Sequence, residues 1–291
     1  MGRKWNKASV IGWQFVILPS LLILLFSFYP MVQSLLLSFQ SGKGAVYEFA
    51  GINNYIRLFS DPIFKQAVFN TLLYLVVQVP VMLFLALIIA YLLNMPNLKF
   101  RGLYRTAIFL PCVTSLVSYS VLFKSIFAID GIMNKFLMAI HVLDEPIAWL
   151  MDPFWARVVI IAAITWRWTG YNMIFYLSAM QNIDPSVYEA ASIDGASKVR
   201  QFFSITVPLL KPILLFTAIV STNGTLQLFD EVVNITGGGP SNATITISQY
   251  IYNLSFVYTP NFGYAATVSY AIVVMVAVLS FIQMRAGRNK A

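Results

Sequence analysis

Six stretches of this chain, at 12–39, 67–94, 106–123, 158–183, 207–229 and 262–284, are apolar and nearly free of charge over lengths that match the hydrocarbon core of a bilayer. A helix crosses that core in about 20 residues, because it rises about 1.5 Å per residue and satisfies its backbone amides internally. Six such stretches in 291 residues leave too little polar chain to cover a soluble core. The composition agrees: 10% of the residues are charged, against about 25% in a typical soluble domain. The expected fold class is therefore all-α, a polytopic membrane protein with about six transmembrane helices. Stretch 106–123 is short, and 158–183 contains Arg167. Prolines 19, 30, 80, 208 and 212 predict kinks that neighbouring helices make tolerable.

The net charge of +8 does not point to nucleic acid, because the positive residues flank the apolar stretches. One side collects Arg3, Lys4, Lys7, Lys99, Arg101, Arg105, Lys198, Arg200, Lys211, Arg285, Arg288 and Lys290, the other Lys43, Arg57, Lys65, Lys124, Lys135 and Arg157. That 12 to 6 imbalance, with acidic residues split 3 to 8 the other way, predicts that both termini are cytoplasmic. The first apolar stretch is far longer than the roughly 7 to 15 residues of a cleavable signal core, so it is expected to be retained as a span. The outer loops are then 40–66, 124–157 and 230–261, the middle one long enough for short amphipathic helices. The inner loop of interest is 184–206.

In that loop, Asp184-Pro185 is a helix start: a side-chain oxygen caps orphan amides while proline occupies the first helical position. About two turns follow to Asp194, and Gly195 supplies the left-handed residue that closes a helix. A second short helix is expected at 196–203. The segment thus reads as a helix-Gly-helix hairpin kept thin by Ala190, Ala191 and Ala196, either a plain surface loop or a surface that a partner's backbone approaches closely.

The run Tyr188-Glu189-Ala190-Ala191-Ser192-Ile193-Asp194-Gly195-Ala196, followed by Phe202-Phe203, Ile205 and Val207-Pro208-Leu209-Leu210, closely resembles the E-A-A loop of ABC importer permeases, and more narrowly the maltose-type carbohydrate permease family. Leu18-Pro19, Tyr29-Pro30, and Phe229-Asp230 leading to 236–244 support that subfamily, so the resemblance covers nearly the whole chain as a single transmembrane domain, 1–291. It is similar to the larger permease of the maltose pair without that subunit's extra outer domain. The resemblance implies that Glu189, Ala190, Ala191, Asp194 and Gly195 contact an ATPase subunit as a coupling helix, and that the partners are a second homologous permease, two ATPase subunits and an extracytoplasmic solute-binding protein in a bacterial or archaeal plasma membrane. No cofactor is expected on this chain, with ATP and magnesium held by the ATPase subunits.

The residues exclude several rivals. No G-x-x-x-x-G-K-[ST] loop is present, and the glycine run 237–239 lacks the Lys and hydroxyl that would follow it, so it reads as a turn. One His and one Cys, His141 and Cys112, cannot build a metal cluster or an internal disulfide. No carboxylate lies inside the six stretches, which disfavours a proton-coupled transporter. A stand-alone secondary transporter or channel for a small polar solute remains the alternative reading.

Two polar patches inside the spans are candidates for a sugar pathway. The first holds Arg167, Trp168, Tyr171 and Asn172: flat aromatic faces suit the C–H faces of a pyranose, and amide or guanidinium donors suit its hydroxyls. Interhelical packing of the tryptophans, with Arg167 paired to a partner's acidic group, is the structural alternative. Arg167 also leaves open an acidic or phosphate-bearing sugar. The second holds Ser221, Asn223, Thr225 and Gln227, which serve equally well as interhelical hydrogen-bond glue. In the family resembled, polar side chains at this level contact the sugar; Leu228 stands where a further polar residue is expected. The function implied is half of the translocation pathway of an ATP-driven importer for a sugar, expected to be an oligosaccharide, with no catalysis by this chain.

Overall fold

The computed structural model describes residues 7–42 and 47–288, so Arg3, Lys4, Lys43 and Lys290, four of the charges used for orientation, lie outside the described residues. In chain order the elements are α1 (Lys7–Ile23), a π-helical turn at Leu24–Phe28, α2 (Tyr29–Ser38), a two-residue hairpin of β1 (Gln40–Ser41) and β2 (Glu48–Phe49), α3 (Asn53–Ser60), α4 (Pro62–Asn94), α5 (Arg101–Val113), α6 (Leu116–Ile126), α7 (Ile132–Ala139) and α8 (Pro153–Gln181). There follow α9 (Pro185–Ile193), α10 (Lys198–Gln201), α11 (Val207–Leu209), α12 (Lys211–Leu226), α13 (Asp230–Ile235), α14 (Ile247–Tyr252) and α15 (Phe262–Arg288). The described residues fall into two compact units, divided at Asp61/Pro62, Tyr250/Ile251 and Ala271/Ile272.

The expected all-helical membrane fold is what the chain adopts. Among the described residues, four helices, Gly12–Ser38, Pro62–Asn94, Pro153–Gln181 and Phe262–Gly287, are long and apolar enough to span a bilayer. The third and fifth expected spans are broken. Arg101–Val113 and Leu116–Ile126 meet at 99°, and Lys198–Leu209 and Lys211–Leu226 at 68°. In the first case Thr114 and Ser115 turn to extended backbone, with ψ of 149° and 134°, three residues after Pro111. A count of apolar residues runs across such a break unaware of it. Spans two and four start earlier than expected, at Pro62 and Pro153, because a helix continues past a charge such as Lys65 or Arg157 where an apolar run stops.

In the first unit, α1 and α2 expose their apolar side chains, as lipid- or partner-facing helices do. The Asn54 amide donates to the carbonyls of Ser38 (3.0 Å) and Gln40 (2.8 Å), and Thr267 donates to Ser38 (3.0 Å), tying the end of α2 to α3 and the start of α15.

In the second unit, α4 lays a stripe of Ala67, Tyr74, Gln78, Met82, Ala86 and Ala90 against α8. Small residues at the contact let two backbones approach, the usual means of helix association where lipid removes the hydrophobic incentive. Two apolar clusters form along α8, one around Val159, Ile160, Ala163 and Ile164, the other around Met173, Tyr176, Leu177 and Met180. Gly170 lies between them at the crossing with α5, where an added Cβ would sit 2.1 Å from the Ile108 carbonyl oxygen. The outer loop 124–157 contains α7, as expected, and is organised by the buried Asn134: its amide nitrogen donates to Ile129 and Ile147 carbonyls at 2.9 Å, and its oxygen accepts from the Trp149 indole at 2.8 Å.

Candidate functional site

The segment between the two clusters of α8 lines a cavity of about 410 Å³. Ile164, Trp168, Tyr171 and Asn172 face it at spacings of four, three and one, a single helical face. From α12 come Val220, Ser221, Gly224 and Thr225, then Gln227 and Leu228 just past its end, and from α4 Gln78 and Met82. The helix break at 227–229 turns the chain so that Asp230 and Glu231, the first residues of α13, complete the wall. That break is pinned from the next loop: the Thr246 hydroxyl donates to the Leu228 carbonyl at 2.6 Å. Residues 243–246 of that loop are buried and held in turn by Arg157, whose Nε donates to the Ala243 carbonyl at 2.8 Å, and by Asn70, whose amide donates to the Ile245 carbonyl at 2.9 Å.

The cavity combines two ring faces with hydroxyls and amides. Trp168 and Tyr171 meet edge to face, with centroids 5.8 Å apart. Gln78 bridges α4 to α12, accepting from Thr225 at 3.4 Å, and the Asn172 amide donates to the Trp168 carbonyl at 3.0 Å and approaches the Met82 sulfur at 3.7 Å. Trp168 and the buried Glu231 both line the cavity.

Of the pathway residues named from sequence, Trp168, Tyr171, Asn172, Ser221, Thr225 and Gln227 line the cavity. Arg167 and Asn223 do not. Arg167 is buried behind the wall, with its guanidinium 4.9 Å from the Tyr119 ring centroid and 5.6 Å from that of Trp168, and it donates to the Thr114 carbonyl at 3.1 Å. Asn223 is exposed, and its side-chain oxygen accepts from Gln227 at 2.7 Å. Sequence reasoning missed Gln78, Met82, Asp230 and Glu231. Gln78 carried a signal, a lone amide mid-span on the same stripe as Tyr74 and Met82; Glu231 carried none, because its position in an outer loop gave no hint of burial.

The inner hairpin forms as a helix-Gly-helix. The Asp184 carboxylate accepts from the Ser186 N–H at 2.9 Å, and that bond holds the Asp184 carboxyl below its usual range. At the other end, Ala196 N–H donates to the Ala191 carbonyl (2.9 Å) and Gly195 N–H to that of Ser192 (3.1 Å), the paired bonds of a Schellman closure, with Gly195 at φ of 76°. Gln201 locks the two arms by donating to Ser192 Oγ (2.9 Å) and to the Ala196 carbonyl (3.1 Å). The second arm is shorter than expected, Lys198–Gln201, and runs on into a π-helical turn at Phe202–Thr206. Glu189, Ala190, Asp194 and Gly195 are exposed, and Ala191 is half-buried. The hairpin is the direct connection between α8 and α12, the two helices that supply most of the cavity wall.

Residues 64–288 match the profile of the family described as binding-protein-dependent transport system inner membrane component. The lactose transport system permease protein LacF of Rhizobium radiobacter is 59% identical over 284 residues, covering 97% of this chain and 95% of that protein. The arabinooligosaccharides transport system permease protein AraP of Halalkalibacterium halodurans is 34% identical over 251 residues, covering 85% and 78%. A crystal structure of a bacterial alginate ABC transporter in complex with an alginate pentasaccharide-bound periplasmic protein contains a chain that superposes with a TM-score of 0.88 over 99% of this chain and 98% of its own, a likeness of fold at 22% identity. With its apolar spanning helices and its family match over 64–288, this multi-pass membrane protein belongs to the binding-protein-dependent transport system inner membrane component family.

Proposed function

We propose that this chain is the permease subunit of an ATP-driven sugar importer and forms half of the translocation pathway for an oligosaccharide. The observation that carries the reading is the cavity of about 410 Å³, with the Trp168 and Tyr171 rings and a set of amides and hydroxyls, joined on both sides to an exposed inner hairpin. The rings offer apolar faces to the sugar, and Asn172, Ser221, Thr225 and Gln227 exchange hydrogen bonds with its hydroxyls. Arg167 and Asn223 act at the edge of the pathway, the first by holding the wall and the second by orienting Gln227. Glu189, Ala190, Ala191, Asp194 and Gly195 dock on an ATPase subunit, and because the hairpin joins α8 to α12, a rigid push on it moves two cavity walls together. Asn172 lies about 14 Å along α8 from Gln181, so the transmission is short.

ATP and magnesium belong to two partner ATPase subunits. A second homologous permease supplies the other half of the pathway, and an extracytoplasmic binding protein delivers the sugar. Both termini face the cytoplasm of a bacterial or archaeal cell, and residues 1–291 act as one transmembrane domain. The test is ATP hydrolysis in proteoliposomes holding this chain with its partner permease, ATPase and binding protein. Stimulation by a neutral disaccharide that disappears when this chain is omitted supports the reading. Accumulation of the sugar by this chain alone, driven by an ion gradient and indifferent to ATP, would replace it with a secondary transporter.

A further inference from the structure

The cavity wall carries side-chain charge of one sign. Asp230 and Glu231 line it, and no Lys or Arg is among the described residues that do. Glu231 is only 6% exposed, a costly position for a carboxylate unless it is hydrogen-bonded and electrically balanced. Burial pushes the Glu231 carboxyl above its usual range, a cost that Trp168 and the Arg167 guanidinium, 5.6 Å from that ring, offset only in part. Arg167 is itself held by the Thr114 carbonyl and the Tyr119 ring. What lines the cavity is a pair of carboxyl groups, those of Asp230 and Glu231, among amides and hydroxyls.

Helix capping accounts for Asp230, since an acidic residue in the first turn of a helix is favourable and Asp230 is exposed. It does not account for Glu231, which would gain as much from the helix terminus at the surface yet is buried and lines the cavity.

We infer that Glu231, assisted by Asp230, is the specificity-determining group of this half of the cavity and restricts it to neutral saccharides. A carboxylate accepts charge-assisted hydrogen bonds from two adjacent hydroxyls of a neutral sugar. A uronate or sugar phosphate brings a like charge against it in a site of low dielectric. The inference rests on the importer reading and narrows it, and it places the buried guanidinium out of the substrate's reach.

Saturation-transfer NMR on the detergent-purified transporter, without binding protein, tests the cavity alone, using lactose and its anionic oxidation product lactobionate. Wild-type transporter should bind lactose at least about tenfold more tightly than lactobionate, a difference of one like-charge contact. Glu231→Gln keeps the shape and removes the charge; it should weaken lactose about fivefold and shrink the preference to less than about twofold. Equal weakening of both sugars would assign Glu231 a structural role and overturn the inference, as would an unchanged preference. Asp230→Asn, at an exposed position, provides the same comparison with a smaller shift should the first variant fail to assemble. Failure of the importer reading has a separate signature: no saccharide, neutral or acidic, binds the wild-type transporter or stimulates its ATPase.

Discussion

The Arg167 guanidinium donates to the Thr114 carbonyl at 3.1 Å, across 53 residues of sequence and at the point where α5 gives way to α6. A helix that stops inside a membrane leaves carbonyls with no water to satisfy them. Arg167 meets one of them with a cation at the negative end of α5, the favourable sign for that terminus. The same side chain stacks on Tyr119 and Trp168, so one residue joins the break, the α6 helix and the cavity wall.

Arg167→Lys keeps the charge and loses the planar fork and the stacking. It should cost about 1 to 3 kcal/mol, read as a melting temperature several degrees lower for the purified transporter. The KM for a neutral sugar should change less than about threefold, a bound set by the absence of direct contact. An unchanged melting temperature with lost sugar stimulation would instead place the guanidinium in contact with substrate.

Gly195 tests the coupling role through the backbone alone. A Cβ there meets nothing within 4 Å, but φ is 76°, in the left-handed region that β-branched residues avoid. Gly195→Val should open the Schellman closure, at a strain of about 1 to 3 kcal/mol, and abolish sugar-stimulated ATP hydrolysis while leaving sugar binding in place. Gly195→Asn, which tolerates that conformation, should retain at least about half of the stimulation, since its strain is a fraction of that of valine. Equal behaviour of the two variants would remove the conformational argument.

Gly170 and Gly224 make an opposed pair. At Gly170 a Cβ would lie 2.1 Å from the Ile108 carbonyl oxygen, so Gly170→Ala should separate α5 from α8, cost about 1 to 3 kcal/mol or more, and lower the yield of assembled transporter. At Gly224, on the cavity face of α12, a Cβ meets nothing within 4 Å. Gly224→Ala should therefore stabilise the helix by about 0.5 to 1 kcal/mol and raise the KM for a trisaccharide more than for a monosaccharide. Thermal melting and uptake of sugars of graded length measure both effects.

Thr246 is fully buried, and its hydroxyl holds the Leu228 carbonyl at 2.6 Å, which fixes the turn that brings Glu231 to the cavity. Thr246→Val preserves the shape and leaves that carbonyl unsatisfied, at about 1 to 3 kcal/mol. The expected result is a lower melting temperature together with a KM several-fold higher for neutral sugar. A melting shift with unchanged KM would separate the loop from the cavity.

The sequence by itself determined that this chain is a bundle of membrane helices, because a helix in lipid needs only a long apolar run and closes its own hydrogen bonds. It also determined the inner hairpin, whose signals are local: Asp184 and Pro185 start α9, and Gly195 ends it, with every capping bond made within a few residues. The face of α8 bearing Trp168, Tyr171 and Asn172 was legible too, since helical periodicity assigns neighbours at three and four residues. The fifth span breaks at Leu210, between the prolines 208 and 212 that mark a kink in the sequence. Only the tertiary structure decided where the third span breaks, because the group that satisfies that break comes from α8, far along the chain. It alone decided that Arg167 stands behind the cavity wall, that Gln78 bridges α4 to α12, and that Glu231, in what reads as an outer loop, is buried beside Trp168. Those outcomes depend on which distant side chain arrives to satisfy a polar group removed from water, and no local pattern in the chain encodes that arrival.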